Sequence, residues 1–208
     1  MSFREARIFK QQRMIGEFNK SACMDSQMDN VDIVIVGAGI SGVSAAVHLK
    51  KMCPQKTFRI LEARESIGGT WDLFRYPGIR SDSDMHTLGF SFKPWREAKS
   101  IADGPSILKY VKETVEEHGL LDFIQFNSRL SKAEWDSATG RWTIEIDSPA
   151  GALKTAMCNF IMMCGGYYDY DNPHDPGFKN TNSFGGRIIH PQFWPNDFEH
   201  KGKKIVVI

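Results

Sequence analysis

The apolar positions of this chain follow several patterns, and each predicts a different element. Short apolar runs at residues 31–36, 57–61, 159–164 and 203–208 suit strands buried on both faces of a parallel sheet. A helix is predicted after the first run, over about residues 41–52. A second is predicted over 105–118, where Ile107, Leu108, Val111 and Val115 share one face and Gly119 supplies a stop. From residue 123 the period changes to two. Strands are expected at 122–126, 132–136 and 142–147, the last two joined as a hairpin about 137–140, and a further short strand precedes Phe160. Residues 66–78 and 167–182 carry no period and predict loops. Residues 79–95 space Arg80, Asp82, Asp84 and His86 two apart, like a polar face. The order predicts an α/β fold: a Rossmann-like domain on a parallel sheet, with a three-stranded antiparallel β-meander inserted before the sheet is rejoined.

Composition changes this picture little. With 208 residues, 41% hydrophobic and 25% charged, the chain matches ordinary globular proteins, and a net charge of +1 gives no electrostatic reason to expect nucleic acid. No apolar run reaches the length of a membrane span, and the first twenty residues are too polar for a signal peptide, so a cytoplasmic protein is expected. Cys23, Cys53, Cys158 and Cys164 form no C-x-x-C pair and read as reduced packing residues. Residues 1–30, basic with scattered Phe, Ile and Met, predict a disordered leader.

The chemistry is concentrated at the end of the first strand. Gly37, Gly39 and Gly42 stand in G-x-G-x-x-G spacing between that strand and the following helix. In this pattern the first glycine permits a tight turn, the second lets backbone approach a pyrophosphate, and the third lets helix and strand pack closely. The helix aims its amino-terminal amides at the phosphates. Glu62, twenty residues beyond Gly42, ends the second strand, where a carboxylate accepts both ribose hydroxyls and repels a 2′-phosphate. The first nucleotide is therefore expected to be FAD or NAD. Gly68 and Gly69 allow a second close approach, and Trp71, Phe74 and Tyr76 could cover flat ring faces. Asp82, Asp84 and His86 lack the further ligands a metal needs, and no metal is expected.

Two longer motifs carry a family resemblance. F-x-G-x-x-x-H-x-x-x-W-P is met by Phe184, Gly186, His190, Trp194 and Pro195, and residues 68–84 read GGTWDLFRYPGIRSDSD. On these the chain, from about residue 31 to 208, resembles the flavin-dependent monooxygenases of the Baeyer-Villiger type. More narrowly it is similar to the group of the ethionamide-activating monooxygenase and the flavin-type long-chain alkane hydroxylase. The resemblance implies that Gly37, Gly39, Ser41 and Gly42 hold the FAD pyrophosphate and Glu62 its ribose. It implies that Gly69, Thr70, Trp71 and Asp72 line the cofactor beside the isoalloxazine, and that Leu130 meets adenine through its backbone. Arg80, Ser81 and Asp82 match the segment that meets NADPH, and Asp82 matches a catalytic carboxylate that pairs with an arginine. His190 and its neighbours match a fingerprint that couples domains during the cycle.

The implied activity is NADPH-dependent insertion of one oxygen atom from O2 into a ketone through a C4a-peroxyflavin, with oxidation of sulfur, nitrogen or a long-chain alkane as the alternative. The implied division is a leader over 1–30, an incomplete FAD-binding domain over 31–183, and a linker with the fingerprint and the first strand of an NADPH-binding domain over 184–208. The run KKIVVI stops where a second glycine-rich loop would begin, so a fragment without turnover is expected. A pyridine-nucleotide disulfide reductase would need a redox cysteine pair, which the sequence lacks. A non-catalytic FAD-binding module is the remaining rival.

Overall fold

The computed structural model describes residues 30–147, 151 and 153–208. The expected leader, with Cys23, lies outside them save for Asn30. Strand β1 (Val31–Val36) is followed by helix α1 (Ile40–Met52) and strand β2 (Phe58–Leu61). β1 and β2 pair in parallel, Ile35 opposite Ile60, as the two strands of a βαβ unit do. Asp32 fastens their starts. Its carboxylate accepts from the backbone N–H and the hydroxyl of Thr57 and from Lys56, and these bonds hold its pKa down to about 2.

One layer of core lies between this sheet and two helices. Val43, Ala46 and Val47 of α1 meet Ile35, Phe58 and Ile60, and the amphipathic helix α4 (Gly104–Glu117) adds Ile107, Tyr110, Val111 and Val115. Asp103 caps α4 by accepting from the Ser106 N–H at 2.9 Å, and Pro105 stands in its first turn, where a missing N–H costs nothing. Tyr110 holds the preceding loop, donating to the Lys93 carbonyl while accepting from the Phe90 N–H.

Several predicted segments differ. The loop 66–78 contains one helical turn, α2 (Thr70–Leu73), started by Gly69. The polar segment 79–95 is not an extended face. Asp84 accepts from the Thr87 N–H and hydroxyl and so caps a second short turn, α3 (Met85–Leu88). Local side-chain capping outcompetes extension here. Of the strand expected at 122–126, residues Leu121–Phe123 form a 3-10 turn and only β3 (Ile124–Gln125) pairs with β2.

The meander and the returning strand are one continuous piece. β4 (Arg129–Asp136) and β5 (Arg141–Asp147) form the expected hairpin. β6 (Lys154–Met163) then pairs antiparallel with β5 in its first half and parallel with β1 in its second, and Cys158 faces both Trp142 and Val31. The six strands run in the order β3-β2-β1-β6-β5-β4. Ile144, Ile146, Ala156 and Cys158 pack with Val34 and Leu61 in a second cluster on the opposite face of β1. The expectation that 159–164 is buried on both sides fails, for Phe160 is 60% and Met163 69% exposed. Residues 203–208 form no strand and are exposed, having no partner strand among the described residues.

Candidate dinucleotide site

The carboxyl ends of β1, β2 and β3 open onto the glycine loop, the position at which open α/β sheets bind ligands. The loop is suspended from three sides. Gly37 N–H donates to Leu61 O at 2.7 Å, Gly68 N–H to Ala38 O at 3.0 Å, and Cys164 N–H to Val36 O at 2.9 Å. Gly37 has φ +102°, and a Cβ on it would lie 2.6 Å from the Cys164 carbonyl oxygen. A Cβ on Gly42 would lie 1.9 Å from the Gly37 carbonyl oxygen, so the third glycine is needed to close helix onto turn.

Gly39 and Gly69 bring two backbones together. A Cβ on Gly69 would lie 3.1 Å from the Gly39 Cα. Gly39 is also the N-cap of α1, whose first turn carries no acidic residue. Its free amides and the positive end of the helix dipole are thus available to an anion. Ser41 is exposed in that turn.

Glu62 is buried at the edge of this loop. One carboxylate oxygen accepts from the Ala38 N–H at 2.7 Å and the other from the Arg64 N–H at 2.9 Å. Each oxygen retains a lone pair, so hydroxyl groups of a ribose can still be accepted. Ser128 N–H donates to Glu62 O and Asn127 N–H to Arg64 O, which brings the start of β4, with Leu130, alongside Glu62.

Thr70 and Trp71 follow Gly69 in α2, and Trp71 packs against the main core. Asp72 does not line an open space. It is buried, with one carboxylate oxygen 2.7 Å from Arg64 Nη2 and 2.5 Å from Ser66 Oγ. Arg80, Ser81 and Asp82 lie further along. The backbones of Arg80 and Asp103 pair as an isolated antiparallel bridge, Ser81 N–H donates to Ala102 O, and Asp82 is exposed. Asp82 is near enough to Tyr168 to act on it electrostatically. Tyr168 is pushed up to about 12, chiefly by its hydrogen bond with Tyr167 and by burial, with smaller contributions from Tyr76 and Asp82. Phe74 packs edge-on against Tyr168 at 4.9 Å and against Tyr76 at 6.2 Å.

The structure thus brings Gly37, Gly39, Gly42, Glu62, Gly69, Thr70 and Leu130 to one end of the sheet. Phe184 and Gly186 lie on the exposed surface. His190 caps the short turn Pro191–Phe193 through Nδ1, which accepts from the Gln192 N–H, and Trp194 packs edge-on against Phe198. Gln192 was not singled out by sequence. It is buried, and its amide donates to the carbonyls of Asp169 and Tyr170, tying the 184–195 segment to the end of the 167–170 stretch. Tyr170 was missed too. Its hydroxyl stands 3.6 Å from a Cβ position on Gly69. A glutamine or tyrosine in an aperiodic loop carries no signal until its partners are known.

Comparison with known proteins agrees with the geometry. A family model for NAD(P)-binding Rossmann-like domains matches residues 35–103. Over 180 residues the chain is 55% identical to the FAD-containing monooxygenase EthA of Mycolicibacterium smegmatis, covering 86% of this chain and 36% of that protein. An oxidized steroid monooxygenase bound to NADP matches with a TM-score of 0.67 and 31% identity, over 81% of this chain and 32% of that one. Cyclohexanone monooxygenase with cyclohexanone bound matches with a TM-score of 0.67 and 25% identity, over 82% and 32%. Fold and glycine cradle together define a Rossmann-like dinucleotide-binding unit. The chain is similar to the FAD-containing monooxygenases and spans 36% of the length of the relative it matches at 55% identity.

Proposed function

We propose that this chain is the FAD-binding portion of an FAD- and NADPH-dependent monooxygenase that places one oxygen atom from O2 into a ketone or a related small apolar substrate. The observation that carries the proposal is the glycine cradle: Gly37, Gly39 and Gly42 on the free end of α1, with the Glu62 carboxylate fixed 2.7 Å from the loop amide of Ala38. Relatives named for FAD and for monooxygenase activity, and a neighbour with cyclohexanone bound, supply the chemistry. When bound, FAD provides the electron transfer and oxygen activation that amino-acid side chains cannot.

The chain's own part is to bind and orient. The α1 amides at Gly39 to Gly42 donate to the pyrophosphate, and Glu62 accepts from the ribose. Thr70 and Trp71 lie beside the ring system. Residues 31–183 make up this unit, and 184–208 form a linker bearing the fingerprint. Arg80, Ser81 and Asp82 face the second nucleotide, with Asp82 as the carboxylate of the reaction centre. The one G-x-G-x-x-G in the 208 residues is assigned to FAD, and turnover requires a second nucleotide site.

The test is a visible spectrum of the purified chain after incubation with FAD and gel filtration, followed by NADPH in air. A retained flavin that NADPH does not bleach is expected. No retained flavin removes the FAD assignment. Bleaching with oxygen consumption overturns the claim that a second site is needed.

A further inference from the structure

Beside the glycine cradle one buried donor has no partner. Arg64 is fastened through its backbone, whose N–H donates to Glu62 Oε1 and whose carbonyl accepts from Asn127, and through Nη2, which is 2.7 Å from Asp72. Its other amino group, Nη1, is buried and meets no acceptor. Buried guanidinium N–H groups are rarely left so, and an unpaired one marks the place of a water, an ion or a ligand.

The surroundings favour a ligand of negative charge. The guanidinium lies over the Tyr170 ring, 5.7 Å from its centroid. The Tyr170 hydroxyl stands against Gly69, and Gly69 against Gly39, so the cation adjoins the wall of the cradle. Arg75 also approaches Asp72, at 3.9 Å, but is mostly exposed. Arg64, its side chain 24% exposed, is thus a mostly buried cation beside two buried carboxylates, Glu62 and Asp72. A dianionic pyrophosphate laid near these two carboxylates gains from a cation beyond the helix amides, and a planar fork already held on one edge by Asp72 offers the other edge preorganised.

We propose that Arg64 Nη1 donates to a pyrophosphate oxygen of the bound flavin dinucleotide, with Asp72, Ser66 and Tyr170 holding the guanidinium in place. The proposal rests on the FAD assignment above. Its test is titration of the 208-residue chain with FAD, followed by flavin fluorescence, and competition by ADP and by adenosine, for wild type, R64Q and R64K. R64Q should weaken FAD and ADP about ten- to hundred-fold, as for loss of a hydrogen bond to a charged group, and leave adenosine within about twofold. R64K keeps a cation against Asp72, and so the fold, but lacks the second amino edge; it should show the same selective loss of ADP, smaller in size. Equal loss of ADP and adenosine would mean that Arg64 only shapes the pocket. Wild-type ADP affinity in folded R64K would also overturn the assignment. A wild-type chain that binds ADP but no FAD would remove the FAD assignment, and this contact to FAD with it.

Discussion

Gly39 and Gly42 are three residues apart and should fail in different ways. At Gly39, φ is −78° and an added Cβ would meet Gly69 Cα at 3.6 Å, an ordinary contact. G39A is therefore expected to cost about 1 kcal/mol or less in stability, the usual penalty of alanine at an N-cap. It should still weaken FAD at least about tenfold, because the methyl group occupies the approach to the pyrophosphate. At Gly42 the same methyl would overlap the Gly37 carbonyl, at 1.9 Å. G42A should lose about 3 kcal/mol or more, since backbone on both sides must shift. Denaturant melts with parallel FAD titrations separate the two outcomes; equal stabilities would contradict the packing role of Gly42. The glycines and Glu62 were legible in the sequence because a turn of this geometry admits few residue types. Arg64, Tyr170 and Gln192 were not, since their roles arise from neighbours distant in the chain, as when Gln192 donates to the Asp169 carbonyl.

Among the elements, α4 offers a test of a cap through pH. The Asp103 carboxyl is held below its ordinary value of 3.8, first by the hydrogen bond from the Ser106 N–H and then by the Ser106 hydroxyl. A group whose folded pKa is depressed stabilises fully above its unfolded pKa and loses that contribution as pH falls through the folded one. D103A should therefore lower stability by about 1 kcal/mol at neutral pH. The gap from wild type should narrow below about pH 3.8. Thermal melts at pH 7 and pH 3 measure it; a constant gap would show that the carboxylate does not act through its charge. The helix was foreseeable from Ile107, Val111 and Val115 in one stripe. The turns at Thr70–Leu73 and Met85–Leu88 were not, because they are too short to show a period and depend on Gly69 and Asp84. The single strand Lys154–Met163 was read as two, since its face pattern changes where its partner changes from β5 to β1.

For the whole molecule, the parallel βαβ start, the inserted meander and the position of the cradle followed from the alternation of strand and helix. What the pattern could not show is which apolar segments find a cover. Phe160 was expected inside on composition and stands 60% exposed, and Val206 and Val207 are 83% and 91% exposed. Apolar character predicts a preference for burial, but burial needs a second surface. No helix among the described residues is long and apolar enough to cross a membrane.

The contact of Gly37 with the Cys164 carbonyl also bears on the order of events in folding. The βαβ unit can form from local pairing, but the turn that faces the pyrophosphate is completed only when the far end of β6 docks beside β1. Contacts so distant in sequence form late, because a long loop must close before they are gained. Capture of the cofactor should therefore trail the appearance of secondary structure. In stopped-flow refolding with FAD present, flavin quenching should follow the far-ultraviolet signal as a slower phase, and a mutation that weakens the β1–β6 pairing should slow the flavin signal alone. The binding competence of this fold then serves as a clock for its last long-range closure.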